Sequence, residues 1–282
     1  MGSKGYYTLD NAPETPPRSE PLRPNKFTKI LEINDGPNTR VIYWIGGAIF
    51  KVTVARPNKF VNPTPEHTTL KWLEQENVTA RTGVRIPRLI KQYEFDGWSY
   101  MFTERLPYRT LLSAWPGMTE AEEEASVQAI ANVCRNLAEQ FEISGRRKSG
   151  PMGVDNGQAP DPFLRPHERR IACTPESQRR TCEAMGMDCS TLVFAHNDLH
   201  GGNVMVDEEN RVLGFIDWEN AGYVPREWIR TKCQVSVAYQ RTGSGDYASR
   251  LDDALERLGF PEATAGYRKW KGKKKDAADD GE

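Results

Sequence analysis

Several things are scarce in this chain, and each scarcity narrows the reading. Histidines number four in 282 residues. The five cysteines, Cys134, Cys173, Cys182, Cys189 and Cys233, form no Cys-x-x-Cys pair. Their odd number argues against a disulfide framework and for reduced thiols. No apolar run approaches the ~20 residues of a membrane span. Charge of neither sign dominates: the net charge is -1, which removes the electrostatic case for nucleic acid or an anionic membrane as partner. The opening "MGSKGYYTLD" has no apolar core of a signal peptide. Its Tyr6 stands where a myristoylation signal carries Ser or Thr. Internal repeats are also missing. These absences predict a cytoplasmic location and leave enzymes and small-molecule binders as the main classes.

What is present suits a globular protein with a sizeable core, at 38% hydrophobic and 27% charged residues. Residues 1–25 are proline-rich and polar, which predicts a disordered arm. Residues 266–282 end in a basic run and then an acidic one, which predicts a solvated tail.

Between the ends, strand signals come first. "KILEIN" and "RVIYWI" flank the turn "DGPNT", and "AIFKVTVA" follows Gly46-Gly47, a β-meander. In "NPTPEHTTLKWLEQENVTARTG", Thr64 suits a cap and Pro65 the first helical position, predicting a helix that ends near Gly83. Asp96-Gly97 between "RLIKQYEF" and "WSYMFTERL" predicts a tight hairpin. The remainder reads as mainly helical. Val127, Ile130, Val133, Leu137 and Phe141 recur near the helical period. The expected fold class is α+β: an antiparallel sheet lobe over 26–106 and a mainly helical lobe over 107–265. Ligands are expected in the crevice of such a two-lobed architecture.

The chemistry concentrates in "FAHNDLHGGNVMVD", Phe194–Asp207, where the pattern is H-x-D-L-x-x-x-N. A hairpin with its turn at 207–210 follows, and Asp217 ends the second strand. Asp198, Asn203 and Asp217 can therefore converge as hard oxygen donors suited to Mg²⁺ carrying phosphates. Asp198 is then left as base or orienter for an attacking hydroxyl. Lys51 sits in the apolar strand "AIFKVTV", where a lysine needs a partner. Glu66, Leu70 and Leu73 share a helix face, so the leucines would anchor the helix and aim the carboxylate inward. A Lys–Glu pair of this kind belongs to phosphoryl-transfer machinery. Each residue also has a plainer reading. Lys51 alone could be a snorkelling lysine and Glu66 a charge at a helix start. His196 and His200 could be zinc ligands, although a brace for the loop suits His196 better.

Taken in order, Lys51, Glu66, H-x-D-L-x-x-x-N and Asp217 resemble the bilobal protein kinase-like fold. More narrowly, the chain resembles the aminoglycoside phosphotransferase and choline kinase-like family. "IDWENAGYVPREW", Ile216–Trp228, is similar to the "IDWE-x-AG-x-x-P" of its fungal phosphotransferase branch. The resemblance covers roughly 27–260. It implies an ATP- and Mg²⁺-dependent small-molecule kinase acting on a hydroxylated substrate. It makes Asp198 the base, Asn203 and Asp217 the Mg²⁺ ligands, Lys51 the phosphate ligand and Glu66 its positioner. The phosphate loop is "NDGPNTRV", with Gly36 and Asn38, and Thr103, Glu104 and Leu106 belong to the adenine hinge.

The sequence departs from the family at Asn197, where glycine is usual, and in having a single glycine, Gly36, in the phosphate loop. These departures motivate an alternative: a kinase-like fold repurposed for ligand binding or another reaction on a natural-product-like substrate. A protein kinase fits less well. Trp218-Glu219 replaces Phe-Gly after Asp217, and only 65 residues follow it.

Overall fold

The computed structural model describes residues 28–34, 40–54, 61–144, 150–166, 171–242 and 246–279. Gly36, Asn38 and the arm 1–25 lie outside the described residues. The chain packs as two compact units. Among the described residues, one holds those from 28 to 54 together with Leu89–Arg105, and the other holds 61–88 and those from Leu106 on.

The first unit is an antiparallel sheet of β1 (Thr28–Asn34), β2 (Arg40–Ile45), β3 (Ala48–Val54), β4 (Leu89–Phe95) and β5 (Trp98–Glu104), in the order β1-β2-β3-β5-β4. The expected meander and hairpin are both present. Asp96 and Gly97 take φ values of 49° and 74°, the doubly left-handed turn that matches strand twist and favours Asp-Gly. Strand pleating sorts the side chains by face. Register places Ile42, Lys51 and Met101 side by side, with Lys51 and Met101 buried. The alternate positions carry rings: Phe50 stacks on Phe102 at 4.1 Å and Tyr93 on Tyr100 at 4.8 Å.

The second unit begins with α1 (Glu66–Gln75) and α2 (Val78–Thr82). Leu70 and Leu73 are buried, as the helix-face reading requires. Two details differ from expectation. Pro65, not Thr64, occupies the cap, because the Thr64 hydroxyl donates to Asp155 instead. The single expected helix divides at Asn77, whose left-handed φ of 52° interrupts the helical ladder before Gly83 ends α2.

The expected lobe boundaries shift for a physical reason. Residues 61–88 pack with the second unit rather than with the sheet. Trp72 of α1 lies 5.2 Å from the Phe141 ring, 4.6 Å from Phe194 and 6.1 Å from Tyr223, which ties the helix to that core. Aromatic clusters of this size dominate local packing energy.

Two short strands and helices follow: β6 (Arg109–Thr110), α3 (Leu111–Ala114), α4 (Glu120–Gln140) and β7 (Glu142–Ser144). α4 starts with a capping box between Thr119 and Glu122, and Val127, Ile130, Val133, Leu137 and Phe141 are all buried. α5 (Pro175–Ala184) opens on a second reciprocal cap, Thr174 with Ser177.

Next come β8 (Thr191–Ala195), β9 (Val204–Val206), β10 (Val212–Phe215) and β11 (Gly222–Pro225). They build two small sheets, β10-β9-β6 and β11-β8-β7. The chain closes with α6 (Arg226–Val235), α7 (Val237–Gln240), α8 (Tyr247–Arg257) and α9 (Thr264–Asp279). α9 overlaps the expected tail 266–282. Tyr267, near the start of that segment, is buried, 6.0 Å from Trp228 and 6.3 Å from Phe163. No helix among the described residues is long and apolar enough to cross a membrane.

Candidate active site

The segment His196–Asn203 connects β8 to β9, and Asp217 follows β10. The hairpin between them closes as expected at Asp207–Asn210. The Asp207 carboxylate accepts from the amides of Glu209 and Arg211. That closure brings the end of β10 back beside the start of the loop: the Ile216 amide donates to the Asn203 carbonyl at 3.0 Å.

His196 is fully buried and braces both sides of this junction. Nδ1 accepts from the Asp198 amide at 3.3 Å, which leaves the proton on Nε2 to donate to the Ile216 carbonyl at 3.0 Å. Burial lowers its pKa to about 4, so the ring is neutral. With both nitrogens committed to backbone, His196 is not a zinc ligand. His200 turns its Nδ1 to the Gly202 amide, also within the loop. The rest of the loop is laced to its surroundings. The Leu199 amide donates to the Tyr239 hydroxyl, the Tyr247 hydroxyl donates to the Leu199 carbonyl, and the Gly201 amide donates to Thr242. A Cβ at Gly201 would sit 2.4 Å from the Thr242 methyl, so only glycine fits there.

The expected Asp198–Asn203–Asp217 grouping lies within one compact unit. Asn203 donates through Nδ2 to the Asp198 carbonyl at 2.8 Å, which orients its side-chain oxygen away from that bond. Asp198 accepts at Oδ2 from Asn220 Nδ2 at 3.2 Å. Burial pushes the Asp198 carboxyl above the ordinary value, and the positive charge of Lys232 pulls it back. Asp217 takes the left-handed conformation, φ 62°, at the mouth of a short 3₁₀ turn, Trp218–Asn220. Glu66 accepts from the Trp218 amide at 3.1 Å. Carboxylate oxygens of Glu66, Asp217 and Glu219 all lie within 4.8 Å of one another. Three oxygen donors at that spacing suit a hard divalent cation.

Asn197 also takes the left-handed conformation, φ 63°. The departure from glycine is therefore accommodated by one of the few side chains that tolerates this region. In the first unit, Lys51 is buried on β3, Thr103 and Glu104 end β5, and Leu106 begins the second unit as a buried side chain.

Sequence reasoning missed four participants. Glu219 was visible two residues beyond Asp217. Asn220 gave no signal of its reach back to Asp198. Lys232 and Asp161 form a buried ion pair at 2.7 Å, with Trp228 Nε1 donating to the same Asp161 oxygen at 2.8 Å. Nothing in the spacing of 161 and 232 announces that pair.

With the fold and site laid out, the class of protein follows. Residues 30–228 match the phosphotransferase enzyme family, and the chain belongs to it. It is an enzyme of the small-molecule kinase class, with a kinase-like fold. The aminoglycoside 3'-phosphotransferase of Streptomyces ribosidificus is 25% identical over 205 residues, 66% of this chain and 71% of that protein. The structure of the gentamicin complex of APH(2")-IIa has the same fold. Its TM-score is 0.52 at 16% identity, over 87% of this chain and 81% of that one.

Proposed function

We propose that this enzyme transfers the γ-phosphate of ATP, with Mg²⁺, to a hydroxyl of a small molecule. The observation that carries the reading is the Asp198 carboxylate, held in a braced loop with Asn203 bonded to its backbone and close enough to Asp217 to feel its charge. Asp198 orients the acceptor hydroxyl and takes its proton during in-line attack. A carboxyl with a raised pKa is a better base than an ordinary one, because its affinity for the proton is greater. Asn203 and Asp217 hold Mg²⁺, with Glu219 as a further oxygen donor. The all-oxygen donor set is the one such a cation takes. Bound there, Mg²⁺ supplies charge neutralisation on the phosphates. Lys51 holds the phosphates and Glu66 positions it. The segment Thr103, Glu104 and Leu106 offers backbone groups to adenine.

The acceptor is a hydroxylated metabolite. Aminoglycosides belong on the test panel because the Streptomyces relative is named for them. The test is ADP release across such a panel, with Asp198→Asn as the control. Turnover should fall by about 10²- to 10⁴-fold, the usual contribution of a positioned base. Mg·ATP should still raise the melting temperature. Full activity in Asp198→Asn would sink the assignment, and a parent enzyme with neither an ATP-induced shift nor turnover would sink the whole reading.

A further inference from the structure

We infer that Asn197 and Asn220 are positioning residues that fix the plane of the Asp198 carboxylate, so that one oxygen is held and the other faces the acceptor. The inference rests on the phosphoryl-transfer reading above. The two residues form a relay: the Asn197 side chain holds the Asn220 backbone, and the Asn220 side chain holds Asp198. Asn197 Nδ2 donates to the Asn220 carbonyl at 3.0 Å, and Asn220 Nδ2 donates to Asp198 Oδ2 at 3.2 Å. Asn220 closes the short turn that starts at Asp217, so the relay joins the turn after one candidate metal ligand to the base itself.

Two observations show that Asn197 is held there for its donor. Its backbone is left-handed, a conformation glycine would take with less strain. Its Oδ1 is buried without a hydrogen-bond partner, so the side chain brings an unsatisfied oxygen into the interior along with its donor. A cavity of about 20 Å³, bordered also by Lys232 and Tyr239, lies against Asn197. Glycine would avoid both the strain and the orphaned oxygen but would leave the Asn220 carbonyl without this donor.

The chemical consequence is directional. A carboxylate can turn about its Cβ–Cγ bond, and because its two oxygens are equivalent the quantity to be fixed is the plane of the group. With Oδ2 occupied by a donor, rotation is restrained and Oδ1 is left for the incoming hydroxyl. Positioning of this kind acts on the rate of the chemical step and not on nucleotide binding.

The test uses the full chain and Mg·ATP hydrolysis, with water as acceptor. Asn220→Leu, close in size but without a donor, and Asn220→Ala should each lower kcat by about tenfold to a hundredfold with KM for Mg·ATP unchanged. Asn197→Gly should lower kcat severalfold while keeping or raising the melting temperature. Nuclear magnetic resonance supplies a readout independent of turnover. The side-chain amide signal of Asn220 should move on Asp198→Ala substitution. Unchanged kcat in both Asn220 variants, or an Asn220 signal indifferent to Asp198→Ala, overturns the inference and leaves the phosphoryl-transfer reading standing. A parent enzyme that shows neither hydrolysis nor transfer overturns both.

Discussion

His196 donates from Nε2 to the carbonyl of Ile216, 3.0 Å away and twenty residues along the chain. The bond ties the start of the loop to the end of β10, one residue before Asp217. It works only while the ring is neutral, with Nδ1 free to accept from the Asp198 amide. Burial lowers the folded-state pKa from 6.5 to about 4. Between those values the unfolded chain binds a proton that the folded chain refuses. This group's stability is therefore complete above about pH 6.5 and is lost as pH falls toward about 4, by as much as about 3 kcal/mol. Chemical denaturation across that range should show the loss, and His196→Gln should flatten it. An equal slope in the variant would assign the pH dependence to other groups.

Lys232 and Asp161 are a buried pair, and breaking a buried pair from one side strands a charge. Lys232→Met and Asp161→Asn should each destabilise the protein by about 3–5 kcal/mol. The double variant should cost less than the sum, because no charge is left uncompensated. Urea unfolding of all four proteins measures the coupling. Strict additivity would mean that the pair is not interacting.

Metal affinity should depend unequally on the acidic residues near Asp217. Asp217→Asn should weaken Mn²⁺ binding, measured by electron paramagnetic resonance, about tenfold or more, the range seen even when outer-shell partners of a metal are lost. Glu219→Gln should weaken it less. Glu66→Gln keeps an oxygen that can accept from the Trp218 amide, and Glu66 is assigned to Lys51, so its effect on metal should be the smallest of the three. Removal of divalent cations with a chelator should abolish turnover and should be reversed by adding Mg²⁺.

Trp72 anchors α1 through three aromatic neighbours, Phe141, Phe194 and Tyr223. Trp72→Ala should cost up to about 3 kcal/mol, the lower end of the range for aromatic cores, because Trp72 is partly buried. The same change should loosen Glu66, carried on the first turn of α1. Hydrogen exchange of the Trp218 amide, which donates to Glu66, should therefore speed up beyond what the global loss of stability predicts.

Much of this was written locally. Asp96-Gly97 needs no distant partner to form its turn, because the two residues themselves tolerate positive φ. The apolar period from Val127 to Phe141 marks a buried helix face regardless of what covers it. The spacing of Asp198, Asn203 and Asp217 around one hairpin is equally local: the Asp207–Asn210 turn returns β10 alongside β9, and Asp217 follows its end. The family, and with it phosphoryl transfer to small molecules, was legible from those residues together with the "IDWENAG" stretch.

Other features were settled only by packing across long separations. The helix expected to belong with the sheet joins the other unit because the Trp72 rings meet Phe141, Phe194 and Tyr223. The first turn of α9 is packed because Tyr267 finds Trp228 and Phe163. The Lys232–Asp161 pair and the Asn197–Asn220–Asp198 relay join positions that no local periodicity connects. Backbone conformation and helix faces depend on neighbours along the chain, and a sequence records those directly. Which charge is neutralised in the interior, and how the Asp198 carboxylate is held, depends on groups brought together from distant segments, and only the folded chain decides that.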